Sequence, residues 1–242
     1  MNICVTTLCV ETKEGSRYIE KCRDLINSHI EFTNYDIIVL TNRMDQLQDL
    51  STDRVKLINY DDKFKEPVVS AGLFNMHIKR KSIFLAKELG YDVVFYNDCD
   101  CFIDGWDHES FIEFCSRDFD VAYVSHVHPQ LGDLRRNYSH FQDKVTNEFG
   151  DLYYPELDRS PNPNETRVIF KNNEKLNNFI LFWDKISNRN NNYNTYHDGV
   201  YFGTSSVDSK MNMIGVTRDI KFTKHCKISH GEKFLNFFGE YL

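Results

Sequence analysis

Tyr91–Ile103, YDVVFYNDCDCFI, is the stretch from which the rest of the chain is read. Val93-Val94-Phe95-Tyr96 is an unbroken apolar run of the kind that forms a strand covered on both faces. It leads into Asp98 and Asp100, one residue apart. Side chains alternate along a strand, so a strand carried through both aspartates aims two carboxylates at one point. Two anions that close repel each other unless a cation or a proton lies between them. A hard divalent ion with oxygen ligands, Mg²⁺ or Mn²⁺, resolves the repulsion and would in turn hold the phosphates of a substrate.

Outward from this stretch the pattern alternates strand and helix. Strands are expected over 2–10, 35–41 and 55–58, with helices over 16–30 and 76–89. Gly90 sits where a helix C-cap glycine belongs. A helix over 108–115 and a strand over 120–125 follow the acidic pair. Strands separated by helices imply a mostly parallel sheet, whose ligands bind beyond the carboxyl ends of the strands. Asp98 and Asp100 lie at such an end.

Between 126 and 164 the periodicity weakens into a polar stretch with Pro129, Pro155, Pro161 and Pro163, read as an irregular lid or substrate loop. A short strand over 166–170 and a helix over 173–186 restore order, and 199–203 and 213–216 read as short strands. The chain divides nowhere cleanly, so 1–242 is expected to be one domain, with the irregular stretch opening its second part, 126–242, after 1–125.

Composition narrows the class. Hydrophobic residues at 41% and charged residues at 27% suit a globular protein with a sizeable core. A formal charge of −7 argues against nucleic acid as the main partner, which needs a basic footprint. No apolar run of about 18 residues is present to span a bilayer. The opening MNICVTTLCV lacks a basic leader region and reads as a first strand. Seven cysteines, an odd number placed mostly in apolar segments, match a reducing compartment, and the expected location is cytoplasmic. Cys99-Asp100-Cys101 has no second cysteine pair at zinc spacing.

KRKSIFLAKELGYDVVFYNDCDCFI, residues 79–103, resembles the segment ahead of the D-x-D in GT-A nucleotide-sugar glycosyltransferases, especially the retaining blood-group and glycogenin types. TRVIFKNNEKLNNFILFWDKI, residues 166–186, is similar to their strand-turn-helix element, and ISHGEK, residues 228–233, to their C-terminal His-Gly-Lys element. The resemblance implies an α/β fold: a single GT-A (Rossmann-like) domain with a mostly parallel central sheet flanked by helices and a small C-terminal antiparallel portion. It implies a UDP-sugar donor, Mn²⁺ or Mg²⁺ as cofactor, and a hydroxyl-bearing carbohydrate acceptor. Carried onto this chain, it makes Asp98, Asp100 and His230 the metal ligands. Thr6 and Thr7 on the first strand, Lys79, Arg80, Gly231 and Lys233 attend the nucleotide diphosphate. His197 and Asp198 fall at the sugar site, but Gly199 stands where the blood-group types carry a glutamate.

Rival readings stay open. Three consecutive cations, Lys79, Arg80 and Lys81, cannot all face one ligand, so a solvated helix face is the plain alternative for them. Trp183 reads as core before sugar platform. A haloacid-dehalogenase-type phosphatase also uses a strand-end D-x-D, though its motif lies near the start of the domain. A non-catalytic nucleotide-sugar binder is a further alternative. So is transfer to a modified DNA base, for which the basic tail Lys221, Lys224, Lys227 and Lys233 would serve.

Overall fold

A computed structural model describes residues 1–11, 17–70, 73–130, 161–189, 198–216, 226–228 and 233–234. Its elements are β1 (Ile3–Cys9), α1 (Tyr18–Phe32), β2 (Asp36–Thr41), α2 (Met44–Leu47), β3 (Val55–Asn59), α3 (Tyr60–Lys63), β4 (Val69–Ser70), β5 (Leu73–Phe74), α4 (Lys79–Glu88), β6 (Val93–Asn97) and β7 (Cys101–Ile103). There follow α5 (His108–Cys115), β8 (Val121–Gln130), β9 (Pro161–Lys171), α6 (Glu174–Arg189), α7 (Asp198–Asp208), β10 (Met213–Val216), β11 (Cys226–Ile228) and β12 (Lys233–Phe234).

Seven strands form the central sheet in the order β10-β8-β9-β6-β1-β2-β3. All neighbours pair in parallel except β9, which runs antiparallel between β6 and β8. A small antiparallel sheet, β12-β11-β7, stands beside it. The fold is therefore α/β with a mostly parallel central sheet. β1 is buried along its whole length, Thr6 and Thr7 included, as expected of a strand covered on both faces.

Alternate residues divide the core into two layers. Cys4, Val94, Tyr96, Val168 and Phe170 face α4, α6 and α7, meeting Ile83, Leu176, Phe179, Trp183 and Phe202. Ile3, Val5, Val93, Phe95 and Ile169 face the other way, against Phe111, Phe114 and Cys115 of α5. Trp183 is 1% exposed and packs edge-on to Phe179 at 5.5 Å, so it is core. Gly90 ends α4 with φ +83°, a left-handed conformation open to glycine without a Cβ penalty, and its amide donates to the Lys87 carbonyl.

Two expectations change. Residues 199–203, read as a strand, lie inside helix α7. Gly, Val, Thr and Ser are poor helix formers, but Phe202 docks among Phe170, Phe179 and Trp183, and that burial outweighs propensity. The irregular 126–164 segment is also shorter than expected. β8 continues to Gln130 and β9 begins at Pro161, with register shifts after Tyr123 and Ser125 that let Pro161 and Pro163 sit in a ladder. Residues 131–160 lie outside the described residues, as do the loop at 190–197 and most of the tail.

A buried polar layer crosses the carboxyl ends of these strands. Thr7 of β1 and Asn97 of β6 share the face toward α1, and Arg167 of β9 stands opposite Asn97 in register. His29 of α1 is fully buried over them, its Nε2 3.1 Å from the Asn97 amide nitrogen. Desolvation, with Arg167 and Arg54 nearby, lowers the His29 pKa from 6.5 to about 3. The unfolded chain therefore takes up a proton that the native protein refuses. The stability this contributes is whole above pH 6.5 and is lost as pH falls toward 3. Urea unfolding across this window should show a slope of up to about 1.4 kcal/mol per pH unit from this group. His29→Gln should flatten that component, and an unchanged slope would refute the assignment.

Candidate active site

The two aspartates sit on a turn. β6 stops at Asn97, β7 starts at Cys101, and the Cys101 amide closes the turn on the Asp98 carbonyl at 2.9 Å. This corrects the expectation that strand alternation aims the pair. Aspartate at the first position of a turn competes with the ladder for backbone hydrogen bonds, which ends the strand. The two carboxylates nonetheless share one neighbourhood. The Tyr18 phenol is raised in pKa by burial and then by Asp100, Cys99 and Asp98. Arg167 is lowered by burial and pulled back by Cys101, Asp100 and Asp98.

Asp98 is held from two sides. Lys79 Nζ lies 3.1 Å from Oδ1 and 3.2 Å from Oδ2, so the ammonium straddles the carboxylate. The Tyr96 hydroxyl donates to Oδ1 at 2.6 Å. Burial, and after it the Asp98 charge, push the Tyr96 phenol well above its ordinary pKa, so it stays a donor. The Lys79 and Asp98 side chains are 10% and 18% exposed. A charge pair this sheltered from solvent is more strongly coupled than a surface pair. Asp100 is 7% exposed and near the Cys101 thiol, which burial pushes up to about 12.

The three helix cations have three different fates. Lys79 serves the acidic turn. Arg80 is buried, binding Glu66 at 2.8 and 3.0 Å, the Asp184 carboxylate and the His77 carbonyl. It ties α4 to α6 and to the chain after α3. Lys81 lies at the rim of the same cluster, 3.3 Å from Glu66 and 3.4 Å from Asp184.

Of the remaining expected residues, Thr6 and Thr7 are the two whose side chains are described. Thr6 is fully buried with its hydroxyl between the Ile38 and Ser82 carbonyls, at 3.3 and 3.2 Å. Thr7 is also fully buried, and among the described residues its hydroxyl has no hydrogen-bond partner. Asp198 opens α7, and Lys233 pairs with Ile228 between β12 and β11, but the side chains of both lie outside what is described. His197, His230 and Gly231 fall outside the described residues. β11 also pairs with β7, so the chain entering the His230 segment runs alongside the strand that leaves the acidic turn. Among the described residues no three His, Cys, Asp or Glu side chains converge as a metal set.

Tyr96, Arg167 and Tyr18 were missed in the sequence. Arg167 carried a signal, a cation opening the otherwise apolar strand RVIF. Its guanidinium is 2% exposed and donates to the Phe102 carbonyl at 3.3 Å. Tyr96 carried none beyond its place two residues before Asp98.

A mostly parallel sheet with one antiparallel strand inserted, helices on both faces and an acidic turn at its carboxyl edge is a GT-A-like fold. Solved structures similar to it include glycosyltransferases. Mouse xyloside xylosyltransferase 1 matches with TM-score 0.50 at 12% identity, over 90% of this chain and 87% of that one. The WbbM bifunctional glycosyltransferase matches with TM-score 0.52 at 15% identity, over 89% of this chain and 38% of that one. The galactosyltransferase LgtC, solved with donor and acceptor sugar analogues, matches with TM-score 0.48 at 11% identity, over 88% and 73% of the two chains. No protein-family model matches the sequence, and no curated protein matches it. No helix among the described residues is long and apolar enough to cross a membrane.

Arg80→Met should destabilise the protein by about 3–5 kcal/mol in urea unfolding, because Glu66 and Asp184 lose their buried partner. A change under about 1 kcal/mol would show the cluster to be solvent-screened.

Proposed function

We propose that the protein is a metal-dependent glycosyltransferase that moves a hexose from a UDP-sugar to a hydroxyl of a carbohydrate acceptor with retention of configuration. One observation carries this reading: a paired-acid turn, flanked by Lys79 and Arg167, at the carboxyl edge of a GT-A-like sheet. Ligands of such sheets bind at that edge. The glycosyltransferase neighbours favour sugar transfer over the phosphatase alternative.

Asp98 and Asp100 offer oxygen donors alone, which suits a hard ion such as Mn²⁺ or Mg²⁺, and His230 is the third ligand in this reading. When bound, the ion neutralises the charge that develops on the departing diphosphate. Lys79, held at the same turn, supplies a further cation for the diphosphate, and positive charge placed at a developing anion is usually the largest catalytic contribution. Arg167, buried and donating to the Phe102 carbonyl, adds positive charge in the field of both carboxylates. Gly231 and Lys233 serve the diphosphate from the tail. Thr7, with its uncommitted hydroxyl on β1, is a better candidate than Thr6 or Arg80 for the nucleotide side.

Asp198 and His197 act at the reacting carbon. Asp198 orients the acceptor hydroxyl and stabilises the cationic sugar as the bond to the diphosphate loosens. Gly199 leaves no carboxylate nucleophile beside it, so retention proceeds without a covalent intermediate at that position. The six described cysteines are free thiols, which suits the cytoplasm. The acceptor is a glycan rather than DNA, since the chain carries a formal charge of −7.

UDP-sugar hydrolysis in the absence of acceptor should require Mn²⁺ or Mg²⁺ and stop in EDTA. Asp98→Asn and Asp100→Asn should each lower kcat by at least about 10²-fold. Full turnover in chelator, or release of free phosphate from sugar phosphates without use of nucleotide sugar, would overturn the reading.

A further inference from the structure

We propose that Lys79 is a built-in counter-ion standing in for the divalent ion at Asp98, so that metal entry and Lys79 release are one competitive event. The inference rests on the metal-dependent reading above and adds to it an order of events at the same turn.

Three features carry it. The ammonium is nearly equidistant from the two Asp98 oxygens, at 3.1 and 3.2 Å, on the side of the carboxylate that a chelated cation would take. The pair is sheltered, with Lys79 10% exposed and Asp98 18% exposed, so an ammonium and a dication cannot share the carboxylate without strong repulsion. The helix that carries Lys79 is pinned one residue later, because Arg80 is fixed to Glu66 and Asp184. Lys79 therefore leaves by turning its own side chain, without moving α4.

The consequence is a coupling between metal and nucleotide. With no nucleotide present, an incoming ion must displace Lys79 from Asp98. A diphosphate arriving with the ion offers the displaced ammonium an anion beside the metal, and the ammonium transfers from carboxylate to phosphate. Metal alone then binds weakly, and metal with nucleotide binds well. By linkage, each improves the affinity of the other by the same factor. Tyr96 remains on Asp98 Oδ1 throughout and keeps the carboxylate from swinging out when Lys79 departs.

The test is Mn²⁺ binding to the nucleotide-free protein, with free Mn²⁺ counted by electron paramagnetic resonance. Lys79→Met should bind Mn²⁺ about 10-fold more tightly than wild type, and adding UDP should improve its affinity by a smaller factor than in wild type. Lys79→Gln keeps a hydrogen-bond donor of similar reach while removing the charge. It should also bind more tightly, and it serves if the methionine variant fails to fold. Unchanged or weakened Mn²⁺ affinity in a variant with native circular dichroism overturns the inference. Wild-type binding that is abolished by Asp100→Asn but unaffected by either Lys79 substitution overturns the competition alone and leaves the metal site standing. Absence of Mn²⁺ binding from wild type and all variants, with or without UDP, overturns both.

Discussion

Two carboxylates on a three-residue turn at the edge of a buried sheet are tolerable only if positive charge is brought to them. The protein brings it from two directions. Lys79 reaches in from the first turn of α4, which packs on the β1 side, and Arg167 comes from β9, the antiparallel strand beside β6. Much of the architecture around the turn can be read as the means of delivering those two side chains. β9 has to run against its neighbours for residue 167 to stand opposite Asn97, at the carboxyl end of β6 rather than the other end of the sheet. α4 has to be anchored where its first turn overlooks that same edge, and the Arg80 cluster anchors it there.

The arrangement also explains why three adjacent cations are not redundant. Successive residues on a helix project about 100° apart. Lys79, Arg80 and Lys81 therefore address an acidic turn, a buried ionic core and a rim in turn. The deepest of them, Arg80, ties α4 to α6, whereas Lys79, also buried, meets the acidic turn.

The elements of the first 125 residues were legible because their signals are local and agree with one another. Apolar runs in β1, β2 and β6, helical spacing in α1 and α4, and the glycine that closes α4 each point to the observed element. Legibility failed where long-range packing outweighed local preference. Phe202 pulls a Gly-, Val- and Ser-rich segment into a helix, and pairing with β8 draws the proline-bearing start of β9 into the sheet. The acidic pair was legible as chemistry but not as geometry, since a turn rather than strand alternation presents it. Which side chains surround the pair was not legible, because Arg167 and Tyr18 become neighbours of Asp98 and Asp100 by folding rather than by spacing.

Sequence by itself determined the class: an α/β chain with an acid-x-acid motif directly after a buried strand, because hydrophobic periodicity and adjacent like charges are properties of consecutive residues. Tertiary structure alone decided which cation meets which anion. Lys79 to Asp98 spans 19 residues of chain, Arg80 to Asp184 spans 104, and Arg167 reaches the Phe102 carbonyl across 65. Charge pairing over such separations depends on where strands and helices come to rest, and the order of residue types along the chain carries no record of it.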